Sequence, residues 1–478
     1  MKTFKFNQLV LGLGVLVAVA TTSCQDQLLD SPQPDFKGSA AAAPQVTLSG
    51  VLSNRTLDRD TVYILDEFVR VPSGVTLTIE SGTLIKGETG TLSGNPATGT
   101  PPGTLVIERG GKIEATGTST APIVFTSNET TPASGDWGGV IILGKAPVCF
   151  DGTTAIEGIP TSASGDNGYG GANDADNSGT LQYVRIEYAG NVLVDGDEIN
   201  GLTLGGVGSG TTIDHVQVTH GLDDGFEFFG GTVNASYLIA SFNKDDDFDT
   251  DQGYSGHIQF GVSLRDPSVF SSLPTGGFES NGDNDDASGC SFTDATFSNF
   301  TVIGPIGPNS SSAVNVAYNS GVLIRDGSEL NLFNSIITGY PNYQLELETI
   351  ADFDNDDNST TDDVVSVEGV TLVYPTFSPF NAQGTNVGIF DFAFIANYHN
   401  ESSNATNTGA GTSLTDLTGL SASAWNLTAP NFVPDTEKPS DFSHNLLSGC
   451  VSVDFRGAFG KDGDAIEGTN WDLGWEQF

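Results

Sequence analysis

Three series of residues share one spacing. Leu204, Phe226 and Phe248 lie 22 residues apart, and so do Val216, Leu238 and Phe260. The same offset sets Asp223 over Asp245, Asp224 over Asp246 and Gly231 over Gly253. A fixed period marks a repeat architecture, in which each unit buries its apolar face only by stacking on its neighbours. A unit of 22 residues built from short strands and turns has the length of one coil of a parallel β-helix. Coils stack at the strand spacing of about 4.8 Å, so like side chains form ladders, apolar inside and polar at the turns. The competing all-β architecture is a sandwich of antiparallel hairpins. It predicts Asn-Gly or Asp-Gly turns between alternating strands, and no constant offset. The spacing therefore predicts an all-β, right-handed parallel β-helix.

Other segments fit the same pattern. Gly74–Glu80 and Gly103–Glu108 alternate apolar and polar residues, and Gly82–Gly87 resembles Gly111–Ala115 in place and pattern. Phe297–Ile303 resembles Phe333–Thr338. Helical periodicity is almost absent, while runs of Val, Ile, Leu, Phe and Thr are punctuated by the 60 glycines and by Asp. Thr89–Pro102, Thr161–Gly179, Phe270–Ser288 and the acidic Asp352–Asp363 read as insertions between coils. The period is lost after about Gln383. The last section, which ends in Trp471-Asp472-Leu473-Gly474-Trp475, reads as last coils and a C-terminal cap. The expected organisation is thus 1–23, 24–44, a solenoid over 45–382, and 383–478.

The N-terminus addresses the chain. Lys2 and Lys5 precede an apolar run from Leu9 to Ala20, and Thr21-Thr22-Ser23 leads to Cys24. A basic start, a short apolar core and small residues before a cut define a secretory signal. A small residue directly before a cysteine resembles the bacterial lipobox, which would place lipid on Cys24. The alternatives are an ordinary signal cut near Ala20 or a short membrane anchor, for which the run is too short. Gln25–Pro44 reads as a flexible tether. Gln25, where an Asp would retain a lipoprotein at the inner membrane, points to the outer membrane. A lipid chain anchors a protein to a bilayer without embedding it.

Charge narrows the partners. The chain has 17 Lys+Arg against 60 Asp+Glu, a net of −43, and loss of Lys2 and Lys5 with the signal makes it more negative still. Phosphate binding needs basic surface, so nucleic acid is excluded. Acidic chains can be disordered, but 29 Phe together with abundant Val, Ile and Leu supply a core here. The four cysteines, Cys24, Cys149, Cys290 and Cys450, show no metal spacing. With Cys24 lipidated, one disulfide and one free thiol are expected among the other three, in a pairing that spacing leaves open.

The motifs now assembled resemble a known family. Gly221–Gly231, Asp245–Asp249, Gln252–Gly256, Gly135–Gly139 and Arg456–Gly460 look like signatures of a family of outer-membrane lipoproteins with the pectate-lyase-like right-handed β-helix. The resemblance runs from about Val46 to Phe478. It implies fold and location, and it carries over no catalytic residue.

One cluster asks for chemistry. Asp223, Asp224, Glu227, Asp245, Asp246, Asp247, Asp249 and Asp251 fall in two consecutive coils, opposed only by Lys244. At about 5 Å, each like-charge pair costs roughly 1 kcal/mol in water and roughly 3 at an effective dielectric near 20. The remedy is a bound cation, raised pKa values, or outward splay into solvent. Ca²⁺ takes six to eight oxygens in flexible geometry. Asp223, Asp224, Asp245, Asp246, Asp247 and Asp249 are therefore candidate Ca²⁺ ligands; the alternative is solvated Asp side chains capping turn amides. Asp352, Asp354, Asp356 and Asp363 are spaced like an EF-hand loop. Asp357 stands where that loop wants Gly, and a solvated loop is the better reading. Phe226, Phe228 and Phe229 cannot all face inward on one strand, so Phe228 and Phe229, beside Glu227, are candidate ligand contacts.

No Ser/His/Asp set or phosphate loop can be read. The expectation is a monomeric, lipid-anchored envelope protein that binds glycan or protein and is stiffened by Ca²⁺. A calcium-dependent polysaccharide lyase or glycosidase is the alternative, with Lys244 or Arg265 nearest to the ladder as a base. A purely structural envelope component is the third reading.

Overall fold

The computed structural model describes residues 43–91, 99–149, 155–160, 163–194, 197–271, 274–282, 293–308, 314–348, 365–373, 380–382, 415, 418–461 and 470–478. The signal, Cys24, most of the tether and the acidic loop Asp352–Asp363 lie outside them.

Parallel strands wind into a solenoid with three ladders. The first runs through Arg55–Leu57, Thr76–Ile79 and Lys112–Thr116, and continues in the leading halves of Gly179–Glu187, Thr212–Thr219, Ala235–Ser241, His257–Leu264 and Thr296–Ile303. The second uses the trailing halves of those long strands. The third stacks Thr104–Ile107, Gly139–Leu143, Leu202–Gly205, Phe226–Phe229, Phe248–Asp251, Phe278–Asn281, Ser320–Arg325 and Tyr343–Leu347. One residue makes each corner between the first and second ladders. Tyr183, His215, Tyr237, Phe260, Asn299 and Asn334 occupy it in successive coils, each with φ between 49° and 63°. That left-handed conformation turns the chain without breaking it and points the side chain outward.

Alternation then sorts the third ladder. Leu202, Phe226, Phe248, Phe278 and Val322 stack inside the core. Phe248 lies between Phe226 and Phe278 with ring centroids 5.1 and 5.0 Å away. Thr203, Glu227, Asp249 and Glu279 stack on the outer side of the same strands.

The fold is as expected, but the register differs in detail. Phe226 over Phe248 and Val216 over Leu238 hold. Leu202, not Leu204, lies against Phe226, and Gly261, not Phe260, lies against Leu238. Insertions between ladders stretch individual coils beyond 22. Gly82–Gly87 does not lie over Gly111–Ala115: Leu77 pairs with Ile113, and Leu84 with Val124. Phe297 likewise stacks on Leu332.

The described C-terminal residues cover the flank of the solenoid along the corner row. Gln217 and Gln259 each pair in both directions with the tail backbone, at Gln477 and Val451, over 2.7–2.8 Å. Asn334 does the same at Asp441. Trp471 and Trp475 pack edge-on against the His215 ring, which is stacked between Tyr183 and Tyr237. Cys149 is disulfide-bonded, to a cysteine outside the described residues, and Cys450 is free. Among the described residues, no helix is long and apolar enough to cross a membrane.

Candidate metal centre

The acidic residues sit where the chain turns from the second ladder into the third. Turn 221–225 and, one coil later, turn 243–247 repeat the same path. Gly225 has no room for a side chain: an added Cβ would lie 2.6 Å from Asn243 Nδ2 and 2.7 Å from the Asp247 carbonyl oxygen. The tight stacking brings the carboxyls of the two turns together. Asp246 N donates to Asp224 Oδ1 over 2.8 Å, and Asp224 N donates to Asn200 Oδ1 over 3.2 Å.

Two groups of three result. Asp223, Asp224 and Asp245 each offer an oxygen within 4.8 Å of the others, and so do Asp224, Glu227 and Asp249. Asp224 belongs to both. The second group is buried: Asp224 is 8 % exposed, Glu227 6 % and Asp249 8 %. Asn200 Nδ2 donates to Glu227 and to Glu157. Asp249 Oδ1 is buried with no hydrogen-bond partner. Leaving a buried carboxylate oxygen unpaired is costly, and this one belongs to a carboxyl already facing two others.

Electrostatics follow from the geometry. Burial, then the charge of Asp245, pushes Asp223 up to about 8. Burial pushes Asp245 up to about 6, with Arg265 pulling against it. Asp224, Glu227, Asp246 and Asp249 are held well above the ordinary carboxylate range, first by burial and then by neighbouring carboxyls. Two of the three remedies for crowded charge therefore remain, protonation or a cation. Burial rules out outward splay for Asp224, Glu227, Asp246 and Asp249; Asp224 and Asp246 do cap turn amides, as the alternative reading expected, but away from solvent.

Three expectations need correcting. Asp247 turns inward, away from the other acids. It is fully buried, pairs with Arg265 Nη1 at 3.0 Å, and accepts from Ser263 and Asn243. It neutralises a buried guanidinium and is committed there. Phe228 and Phe229 are not exposed contacts, at 0 % and 4 % exposure. Phe228 points into the core and stacks on Tyr254. Phe229 does point out of the coil, but the 155–170 insertion covers it with Ile156, Ile159 and Tyr169. Glu227 is likewise buried, as a member of the acidic group rather than an exposed contact. Asp246 stays beside the cluster with Oδ1 taken by Gly276 N.

The sequence reading missed Glu157, Glu198, Glu279 and Asn200. Glu157, Glu198 and Glu279 act on the cluster through their charge. Glu279 continues the Glu227–Asp249 ladder one rung further, but an insertion places it 30 residues on instead of 22. Allowing a variable loop between rungs would have found it. Glu157 and Glu198 come from segments outside the period and carried no signal.

The oxygen-only donor set suits a hard divalent cation, for which carboxylates and carbonyls are the matching ligands. The two arginines nearby are committed. Arg265 is paired with Asp247, and Arg325 lies 2.5 Å from Glu279 and also donates to Asn281. None of the curated proteins compared matches the chain. The family model of the pectate-lyase-like β-helix domain matches residues 50–426, which include every ladder described and the acidic turns. A solenoid of three parallel ladders and a family match over most of its length agree: this chain belongs to the pectate-lyase-like β-helix family.

Proposed function

We propose that this protein is a calcium-binding β-helix of the cell envelope, anchored at the outer membrane by lipid on Cys24, that binds glycan or an envelope protein without chemically changing it. One observation carries the cation reading. Asp249 Oδ1 is buried and unpartnered while its carboxyl shares a 4.8 Å neighbourhood with those of Asp224 and Glu227. A divalent cation would give that oxygen its partner and replace the protons that the cluster otherwise retains. Ca²⁺ fits better than Mg²⁺, because carboxyls drawn from two strands and a turn offer no rigid octahedron. The anchor rests on the lipobox-like approach to Cys24, and the partner class on the acidic surface and the family fold. Fold by itself does not assign activity.

The lyase reading needs a Lys or Arg base beside the calcium. Arg265 is fully buried, and it is held protonated by Asp247 despite the opposing effect of burial. Arg325 is likewise held protonated by Glu279 against burial. Neither arginine is suited to accept a proton, so the lyase alternative rests on Lys244 of turn 243–247, and the binding reading is preferred.

Thermal unfolding with CaCl₂ and with chelator tests the cation. A ligand specific for the folded state adds about 2.7 kcal/mol at a hundredfold excess over Kd. Calcium is expected to raise the midpoint of the wild type and not of Asp249→Asn. An equal response in both, or in neither, refutes the site. A glycan array probed in the same two conditions tests the binding role, with calcium-dependent retention expected and release of shortened oligosaccharide counting against it.

A further inference from the structure

The 155–170 insertion does more than cover Phe229. Its underside carries Ile156, Ile159 and Tyr169, which pack on Leu143, Ile141 and Phe229. Its far end is pinned by Asn167, which accepts from the buried Arg70 over 2.7 Å and whose backbone carbonyl accepts from Ile156 N over 2.8 Å. Gly158 has φ of +68°, and an added Cβ would lie 2.5 Å from Ile199 Cγ1 and 2.7 Å from the Glu198 carbonyl oxygen. The backbone next to Glu157 is thus packed closely against the 197–199 segment. Between these anchors Glu157 reaches the acidic group. It shares Asn200 Nδ2 with Glu227 and hydrogen-bonds the Glu227 carboxyl.

Resting on the cation reading above, we infer that Glu157 is a further ligand of the ion held by Asp224, Glu227 and Asp249, and that the ion thereby locks the 155–170 insertion onto the solenoid. Glu227 and Asp249 come from consecutive rungs and Asp224 from the turn before them. Glu157 lies outside that group of three as the chain stands and touches it through Glu227; drawn in from the insertion by an ion, it would add oxygens toward the six to eight that Ca²⁺ takes. Two carboxyls in direct contact repel when both ionise, and an ion between them turns that repulsion into attraction. The insertion, otherwise held by apolar packing, by Arg70 on Asn167 and by Arg109 on Asp166 at 3.0 Å, then gains a link that exists only in the loaded protein.

Calorimetric titration of the chain with CaCl₂ and with MgCl₂ tests this, using wild type, Glu157→Gln, Gly158→Ala and Asp249→Asn. Hydrogen exchange of residues 155–160 with and without calcium accompanies it. Glu157→Gln is expected to weaken Ca²⁺ about 10- to 100-fold and to abolish calcium-induced protection of 155–160. Its unfolding midpoint in chelator should be unchanged or higher, which a merely structural role would not give. Gly158→Ala should weaken Ca²⁺ in the same direction by displacing the insertion. If Glu157→Gln binds like the wild type while Asp249→Asn does not bind, the Glu157 assignment is overturned and the cation site stands. If the wild type itself takes up no calcium, both fall.

Discussion

Without calcium, the acidic cluster should make the protein lose stability as pH rises toward neutrality. A carboxyl whose pKa rises on folding keeps its proton in the native state after the unfolded chain has lost it. Its favourable contribution is complete below the unfolded pKa, near 4, and is lost as pH climbs through the folded value. Asp245 at about 6 and Asp223 at about 8 set the window as pH 4 to 8. Asp224, Glu227, Asp246 and Asp249 extend it upward. At about 1.4 kcal/mol per pH unit, Asp223 alone sets a ceiling of about 6 kcal/mol and Asp245 about 3. The two lie in one field and do not add, so the expected loss between pH 5 and 8 is about 3–5 kcal/mol. Urea unfolding in chelator at stepped pH measures it. Saturating calcium should flatten the slope, and Asp223→Asn with Asp245→Asn should remove most of it. Below pH 4 the trend should reverse, because Asp214 titrates below its ordinary range: burial raises it, but the bonds from His215, Gln182 and Ser236 outweigh that. Stability in chelator that is flat or rising from pH 5 to 8 would refute the reasoning.

Other expectations follow from single contacts. Phe248→Ala removes the middle ring of the Phe226–Phe248–Phe278 stack and should cost about 3–5 kcal/mol by denaturant unfolding. Arg265→Met leaves Asp247 as an uncompensated buried charge and should cost about 3–5 kcal/mol. Adding Asp247→Asn should recover most of that, since Ser263 and Asn243 still bond a neutral group. Cys24→Ala should move the protein from the membrane to the soluble fraction on cell fractionation, with loss of the lipid mass from the N-terminal peptide.

The residues that disclosed the fold were those least disturbed by insertions. Phe226 over Phe248 and Asp224 over Asp246 fall in coils with no insertion, where the offset is constant. Leu204 and Phe260 fell off register because turns of variable length sit between ladders and shift the count by one or two residues. The acidic turns were legible for the same reason, since stacking alone brings Asp223 and Asp224 beside Asp245. The burial of those turns was not. It comes from segments outside the stacked turns: Ser271 and Gly276 bond Asp245 and Asp246, and Glu157, which reaches Glu227, precedes Asp223 by 66 residues. Asp247 looked like its neighbours in sequence, and only its pairing with Arg265 sets it apart. Alternation on Phe226–Phe229 rightly requires one ring to face out, and that ring is Phe229; it also puts Phe228 inside with Phe226, against the contact role expected of it, and it does not say what covers Phe229.

The most direct test is a crystal structure of the protein grown with CaCl₂, with a lanthanide soak for anomalous scattering. The account predicts a peak bounded by Asp224, Glu227 and Asp249, with carboxylate oxygens at about 2.3–2.6 Å and Asp249 Oδ1 among them. Ordered water alone in that cluster, or an ion bound only at exposed carboxylates elsewhere, would contradict it.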